Sequence, residues 1–193
     1  MHGTRWLGRI LAVGALAAAL IALALGIGRW RAHGLVEDGA GLVSDEAYLP
    51  AARTLARAVA AAPGDARAHY FLGLAYAGLG QDQAALSHAR DAVRLAPGEP
   101  AYEAGLATLL LDAGRVPEAI VHLRRAAELG PRAADIRLLL ADSLRQAGDR
   151  EGMERQYRIA MRLARGSALG AVAREQLRAA REQLKAAGER PIP

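Results

Sequence analysis

Two kinds of hydrophobic pattern divide this chain. The first is unbroken: ILAVGALAAALIALALGIG, Ile10 to Gly28, carries no charge and no strongly polar side chain. As a helix it spans about 28 Å, the thickness of a bilayer's hydrocarbon core. Trp6 and Trp30 bracket the run, and Arg5, Arg9, Arg29 and Arg31 stand where their heads reach lipid headgroups. A buried core helix would show a polar face, and this run has none. A cleaved signal peptide has a shorter apolar stretch before a small-x-small site such as Ala22-Leu23-Ala24, whereas this run ends in Arg-Trp-Arg. The pattern predicts an uncleaved membrane anchor over residues 1–31, its transmembrane helix at about 10–28. Arginines are balanced across it, so the free amino terminus tips the orientation toward N-inside, with the rest of the chain exported.

The second pattern is periodic. Leu72, Gly73, Tyr76, Gly80, Ala85, Ala92 and Pro97 recur one period later, in the same order and spacing, as Leu106, Ala107, Leu110, Gly114, Ala119, Ala126 and Pro131. A third copy follows with Leu140, Ala141, Leu144, Gly148, Met153, Ala160 and Arg165. Each copy (66–99, 100–133 and 134–167) reads as two helices, A then B. Small residues facing across the pair, Gly73 with Ala85 and Ala107 with Ala119, let two backbones approach closely. Gly80, Gly114 and Gly148 end the A helices, where a left-handed cap suits glycine. Pro97 and Pro131 close B helices, and Pro117 opens one, where a missing N–H does no harm. Gly78 has no duty in this scheme and falls at an exposed position.

Flanking segments complete the plan. Ser44 followed by DEAYLPAARTLARAVAAAP reads as a capped helix, with Ala51, Leu55, Ala58 and Pro63 in the frame of a B helix. Residues 45–65 are therefore expected to form a half-repeat without a helix A, joined to the anchor by a linker at 32–44. After Ser167 a helix is expected over 168–187, apolar at Val172, Leu177, Ala180 and Leu184, covering the end of the stack. Residues 188–193 form a tail.

An alanine- and leucine-rich chain with one Phe and few β-branched residues makes an all-α fold. The repeat resembles the tetratricopeptide repeat (TPR) family, whose pattern of Leu-Gly, Tyr, Ala and Pro it meets position by position. It departs where that family usually has Trp, here His69, Glu103 and Arg137. The resemblance implies an α-solenoid in which ligands lie in a concave groove lined by the A helices. The groove positions are Arg67, Tyr70, Leu74 and Ala77, then Ala101, Ala104, Thr108 and Leu111, then Asp135, Leu138, Asp142 and Arg145. Apolar in the first two copies and charged in the third, this set suits a peptide with apolar anchors and a polar or charged end. Taken singly, the same leucines and charges also suit ordinary helix surface. The carboxylate clamp that some TPR proteins use on chaperone tails needs Lys and Asn where Tyr70 and Leu74 stand.

The arrangement of anchor, repeats and terminal helix is similar to bacterial periplasmic TPR proteins of cytochrome c biogenesis. In those, the resemblance implies, the groove holds the C-terminal segment of an apocytochrome c for haem attachment. The repeats suit equally a structural scaffold for a pilus, secretion or polysaccharide-export machine. An excess of 24 Arg over one Lys points to a GC-rich bacterium and thus to the inner membrane, with the repeats in the periplasm.

Charge and motifs narrow the remaining options. The net charge of +5 sits at the two ends, because residues 32–166 carry 16 arginines against 17 acids. No basic stripe remains for nucleic acid. The chain has no cysteine, which removes thiolate metal sites, a Cys nucleophile and C-x-x-C-H haem attachment. No phosphate loop, H-E-x-x-H or G-x-S-x-G occurs, so no enzyme and no cofactor are expected. His88 and His122 lie one repeat apart, on the order of 10 Å, too far to share a zinc ion, and read as solvated helix surface.

Overall fold

A computed structural model describes Trp30 and residues 32–186. The expected anchor at 10–28 and the tail at 188–193 lie outside the described residues. Within them, every regular element is a helix, and none is long and apolar enough to cross a membrane.

The helices run α1 (32–44), α2 (Tyr48–Ala61), α3 (Ala66–Gly78), α4 (Asp82–Leu95), α5 (Pro100–Asp112), α6 (Val116–Leu129), α7 (Ala134–Gln146), α8 (Arg150–Leu163) and α9 (Ala168–Ala186). Each from α2 onward packs on the next, and the A–B pairs α3/α4, α5/α6 and α7/α8 have the most extensive contacts. Asp65 caps α3 by accepting from the amides of Arg67 and Ala68 at 2.9 and 3.1 Å. Asp149 caps α8 through the Gly152 amide at 2.9 Å.

The A helices share one ending. Gly80, Gly114 and Gly148 have φ of +70°, +71° and +78°. The amide that follows each glycine reaches back into the last turn, Gln81 to the Tyr76 carbonyl at 2.9 Å, Arg115 to Leu110 at 2.8 Å and Asp149 to Leu144 at 2.9 Å. These bonds satisfy carbonyls that a helix end leaves open and reverse the chain into the B helix.

Residues 32–44 correct the sequence reading. They form not a linker but a helix A, with Ala32, Val36 and Gly39 buried. Its ending repeats the others: the Ala47 amide donates to the Leu42 carbonyl at 2.8 Å, and Glu46, one period before Gly80, takes the left-handed conformation at φ +58°. The leading unit is therefore a full pair. Ser44 ends α1, its hydroxyl donating to the Ala40 carbonyl at 3.1 Å, and does not cap α2, which starts at Tyr48.

Packing answers for the glycines. A β-carbon on Gly73 would stand 3.1 Å from the Ala85 carbonyl oxygen and 3.3 Å from the Ala89 nitrogen, so α3 and α4 touch backbone to backbone. Gly78 also has a duty: the ring of Tyr48, from α2, lies where its β-carbon would be. Larger apolar side chains fill the layers between. Leu55 and Leu72 close the first layer with Ala51, Ala52 and Ala75. A continuous core then runs from Ala85 to Ala180.

At the far end α9 buries Ala173, Leu177 and Ala180, but Val172, expected on that face, is 45% exposed. An ion-pair knot fixes the helix. Buried Glu154 on α8 accepts from Arg181 on α9 at 2.9 and 3.0 Å and from Arg158 at 2.6 Å.

Candidate functional site

The A row lies on the inner side of the stack. α3 touches α5 and α7 touches α9, whereas successive B helices among the described residues make weaker contact or none. Neighbours that approach on one side and splay on the other make a curved array, concave toward the A row.

The expected groove residues divide by what they touch. Ala77, Ala104, Leu111 and Leu138 are half-buried and packed against the core, so each also holds repeats together. Arg67 is also engaged: its guanidinium makes two contacts with the Glu37 carboxylate on α1 and lies 5.6 Å over the Phe71 ring. The hydrogen bond from Arg67 is the chief reason that the Glu37 carboxyl is held below its ordinary pKa. Asp142 accepts a short hydrogen bond from the Tyr157 hydroxyl and faces Arg145 at 3.9 Å. Burial first, then Asp142, pushes the Tyr157 phenol up.

What remains uncovered is a band across the A helices. Leu74 is half-buried outside the core clusters, while Ala101, Thr108, Asp135 and Arg145 are exposed. Thr108 turns its hydroxyl back to the Ala104 carbonyl at 3.1 Å, which spends its donor on its own helix. Tyr70 anchors the band, with its ring 5.0 Å from that of Tyr102 on α5 and 5.3 Å from that of Phe71. Gly105 makes room for it, since a β-carbon there would meet the Tyr70 ring edge. Burial raises both phenols, so Tyr70 and Tyr102 keep their protons as donors. A cleft of about 310 Å³ opens at the charged end, beside Arg145, lined by Met153, Ala180 and Leu184.

Sequence reasoning missed Tyr102, Phe71 and Glu37. Tyr102 falls slightly short of one full period after Tyr70, and Gly105 sits on its helix; that pairing was the available signal.

A second row of contacts was missed too. At the same separation within each repeat, His69 meets His88 (Nδ1 to Nδ1, 3.1 Å), Glu103 meets His122 (2.7 Å) and Arg137 meets Gln156 (3.1 Å). These polar rungs join helix A to helix B where the family usually packs a Trp. His88 and His122 are thus half-buried partners within a repeat rather than solvated surface. Burial, and then His69, lowers the His88 pKa. Arg137 also donates to the Ala127 carbonyl at 2.9 Å, tying the third pair to the second. Among the described residues, His69, His88 and Asp91 bring ligand atoms within 4.8 Å of one another.

The family model described as tetratricopeptide repeat matches residues 48–100 and 105–152, more than half of the chain. The chain belongs to the TPR family. Solved structures share its fold. One, of a MamA mutant, has a TM-score of 0.57 at 24% identity, covering 67% of this chain and 75% of that one. A crystal structure of MamA protein has a TM-score of 0.61 at 18% identity, covering 84% of this chain and 98% of that one. No match is found among curated proteins. The TPR fold is typical of protein–protein interaction adaptors, and the match begins at Tyr48, leaving out α1 and with it Glu37.

Proposed function

We propose that this TPR protein is an adaptor that holds a polypeptide segment along its A-helix face. One observation carries the reading: Leu74, Ala101 and Thr108 leave an apolar band beside the Tyr70–Tyr102 pair, ending at Asp135 and Arg145. A segment with one or two apolar side chains and a charged or carboxylate end fits that order. A band that crosses three helices suits a chain rather than a small molecule. The C-terminal segment of an apocytochrome c is the occupant to test first. The apolar run at Ile10 to Gly28 supports a single-pass anchor, with the repeats in the periplasm of a bacterial inner membrane.

The test uses the full chain in detergent and a panel of labelled C-terminal peptides, apocytochrome ends among them, read by fluorescence anisotropy. Selective binding that falls about tenfold in Leu74→Asp and Tyr70→Ala, with helicity unchanged, supports the adaptor. Leu74 is a cleaner probe than Leu111, whose loss would damage the core. Equal binding of every peptide contradicts the groove. If none binds but a membrane complex co-purifies and is lost on exchanging residues 1–31, the protein is a structural scaffold for an envelope machine.

A further inference from the structure

We infer that His69, His88 and Asp91 form a binding site for one divalent transition-metal ion of the imidazole-preferring class, such as Zn²⁺, Co²⁺ or Ni²⁺. The site lies on the polar rung of the α3/α4 pair and shares no residue with the groove.

Each donor is held by a partner of its own. His69 is 7% exposed, and its Nε2 lies 3.2 Å from the Pro63 carbonyl oxygen. A carbonyl only accepts, so a proton belongs on Nε2, and in the tautomer this fixes it is Nδ1 that offers its electron pair to the rung. That Nδ1 faces the His88 Nδ1 at 3.1 Å and the Asp91 Oδ2 at 3.7 Å. The His88 ring is clamped flat on Tyr76, centroids 5.5 Å apart and planes 14° from parallel. Arg94 takes the other Asp91 oxygen, Oδ1, at 2.8 Å. A fixed tautomer, a clamped ring and a hydrogen-bonded carboxylate are the outer contacts that orient metal ligands.

The spacing suits an ion. Two nitrogens 3.1 Å apart subtend roughly 100° at a metal about 2.05 Å from each, between octahedral and tetrahedral values. Without a cation, the same contact needs a proton on the His88 Nδ1 to lie between the rings. With one, the three ligand atoms, all within 4.8 Å of one another, are close enough to share it. Two imidazoles select against Mg²⁺ and Ca²⁺, which prefer oxygen. Asp91 is 34% exposed, so an ion reaches the site from solvent and retains positions for water. Among the described residues the other repeats offer no such set: Glu103–His122 lacks a third donor, and Arg137–Gln156 is cationic.

The test is titration of the metal-free full chain, in detergent, with Zn²⁺ by calorimetry and with Co²⁺ by visible absorption. A chain without cysteine reports only nitrogen and oxygen ligation. One-to-one binding is expected, weakened at least tenfold in His88→Ala and in Asp91→Asn and unchanged in His122→Ala and His33→Ala. Circular dichroism confirms folding, and Asp91→Asn preserves shape, so a loss of binding there is not a loss of structure. The site is overturned if no saturable one-to-one uptake occurs, if His88→Ala and Asp91→Asn leave it intact, or if Mg²⁺ competes at equal concentration.

Discussion

The carbonyl oxygen of Ala85 on α4 lies 3.1 Å from where a β-carbon on Gly73 would stand. That approach sets the thickness of the α3/α4 pair, and a side chain of any length there must push two backbones apart. One methyl is nearly tolerable, because the squeeze is offset by the helix preference of alanine, about 1 kcal/mol. Gly73→Ala is expected to change stability by less than about 1 kcal/mol and Gly73→Leu to cost about 3 kcal/mol. Urea denaturation of the two variants checks the ratio.

Gly78 and Tyr48 are coupled through the same kind of contact. Gly78→Ala is expected to destabilise the protein while Tyr48 is present. With Tyr48→Ala in the background, it should stabilise by about 0.5–1 kcal/mol, from helix propensity alone. A double-mutant cycle that keeps one sign throughout would remove Tyr48 from the account.

The repeat period was legible because the glycines at 80, 114 and 148 mark it in letters. The leading pair was not, because Glu46 occupies the glycine position and conceals the ending of α1. Gly39, one period before Gly73, is the surviving mark, and a lone glycine there is indistinguishable from a linker glycine. The groove was legible only in part. Spacing assigns a residue to a helix face, but whether that face is spent depends on what packs against it. Glu37 takes Arg67 from a helix that carries no legible repeat signature, and Tyr157 takes Asp142 across a helix pair whose frame has drifted from the other copies.

A left-handed backbone costs a non-glycine residue roughly 1–2 kcal/mol, part of which glycine returns as chain entropy. Glu46→Gly is therefore expected to stabilise the leading pair by about 0.5–1 kcal/mol, and Glu46→Val to destabilise it by more than that. Thermal unfolding of both variants measures the difference.

Glu154 ties α9 to the stack and makes that end sensitive to acid. Hydrogen bonds from Arg181, opposed by burial, hold its carboxyl below the ordinary value of 4.5. A lowered pKa means that its contribution is complete above the unfolded value and is lost as pH falls through the folded one. Protection factors of the α9 amides, which remove the intrinsic pH dependence of exchange, should thus fall below about pH 4.5 in the natural protein. Glu154→Gln should show lowered protection at every pH and cost about 1–2 kcal/mol at neutrality, because Arg158 and Arg181 lose a charged partner but, 51% and 40% exposed, keep their water.

Site-specific photo-crosslinking of the full chain in its native cell shows directly whether another polypeptide lies along the A-helix face. A photoreactive residue replaces Leu74 on α3 or, as control, Val121 on α6, which is 65% exposed. One discrete adduct is expected from position 74, mapping to a single segment of the captured chain, and none from position 121. Equal adducts from both positions, or an adduct from position 121 alone, would contradict that placement.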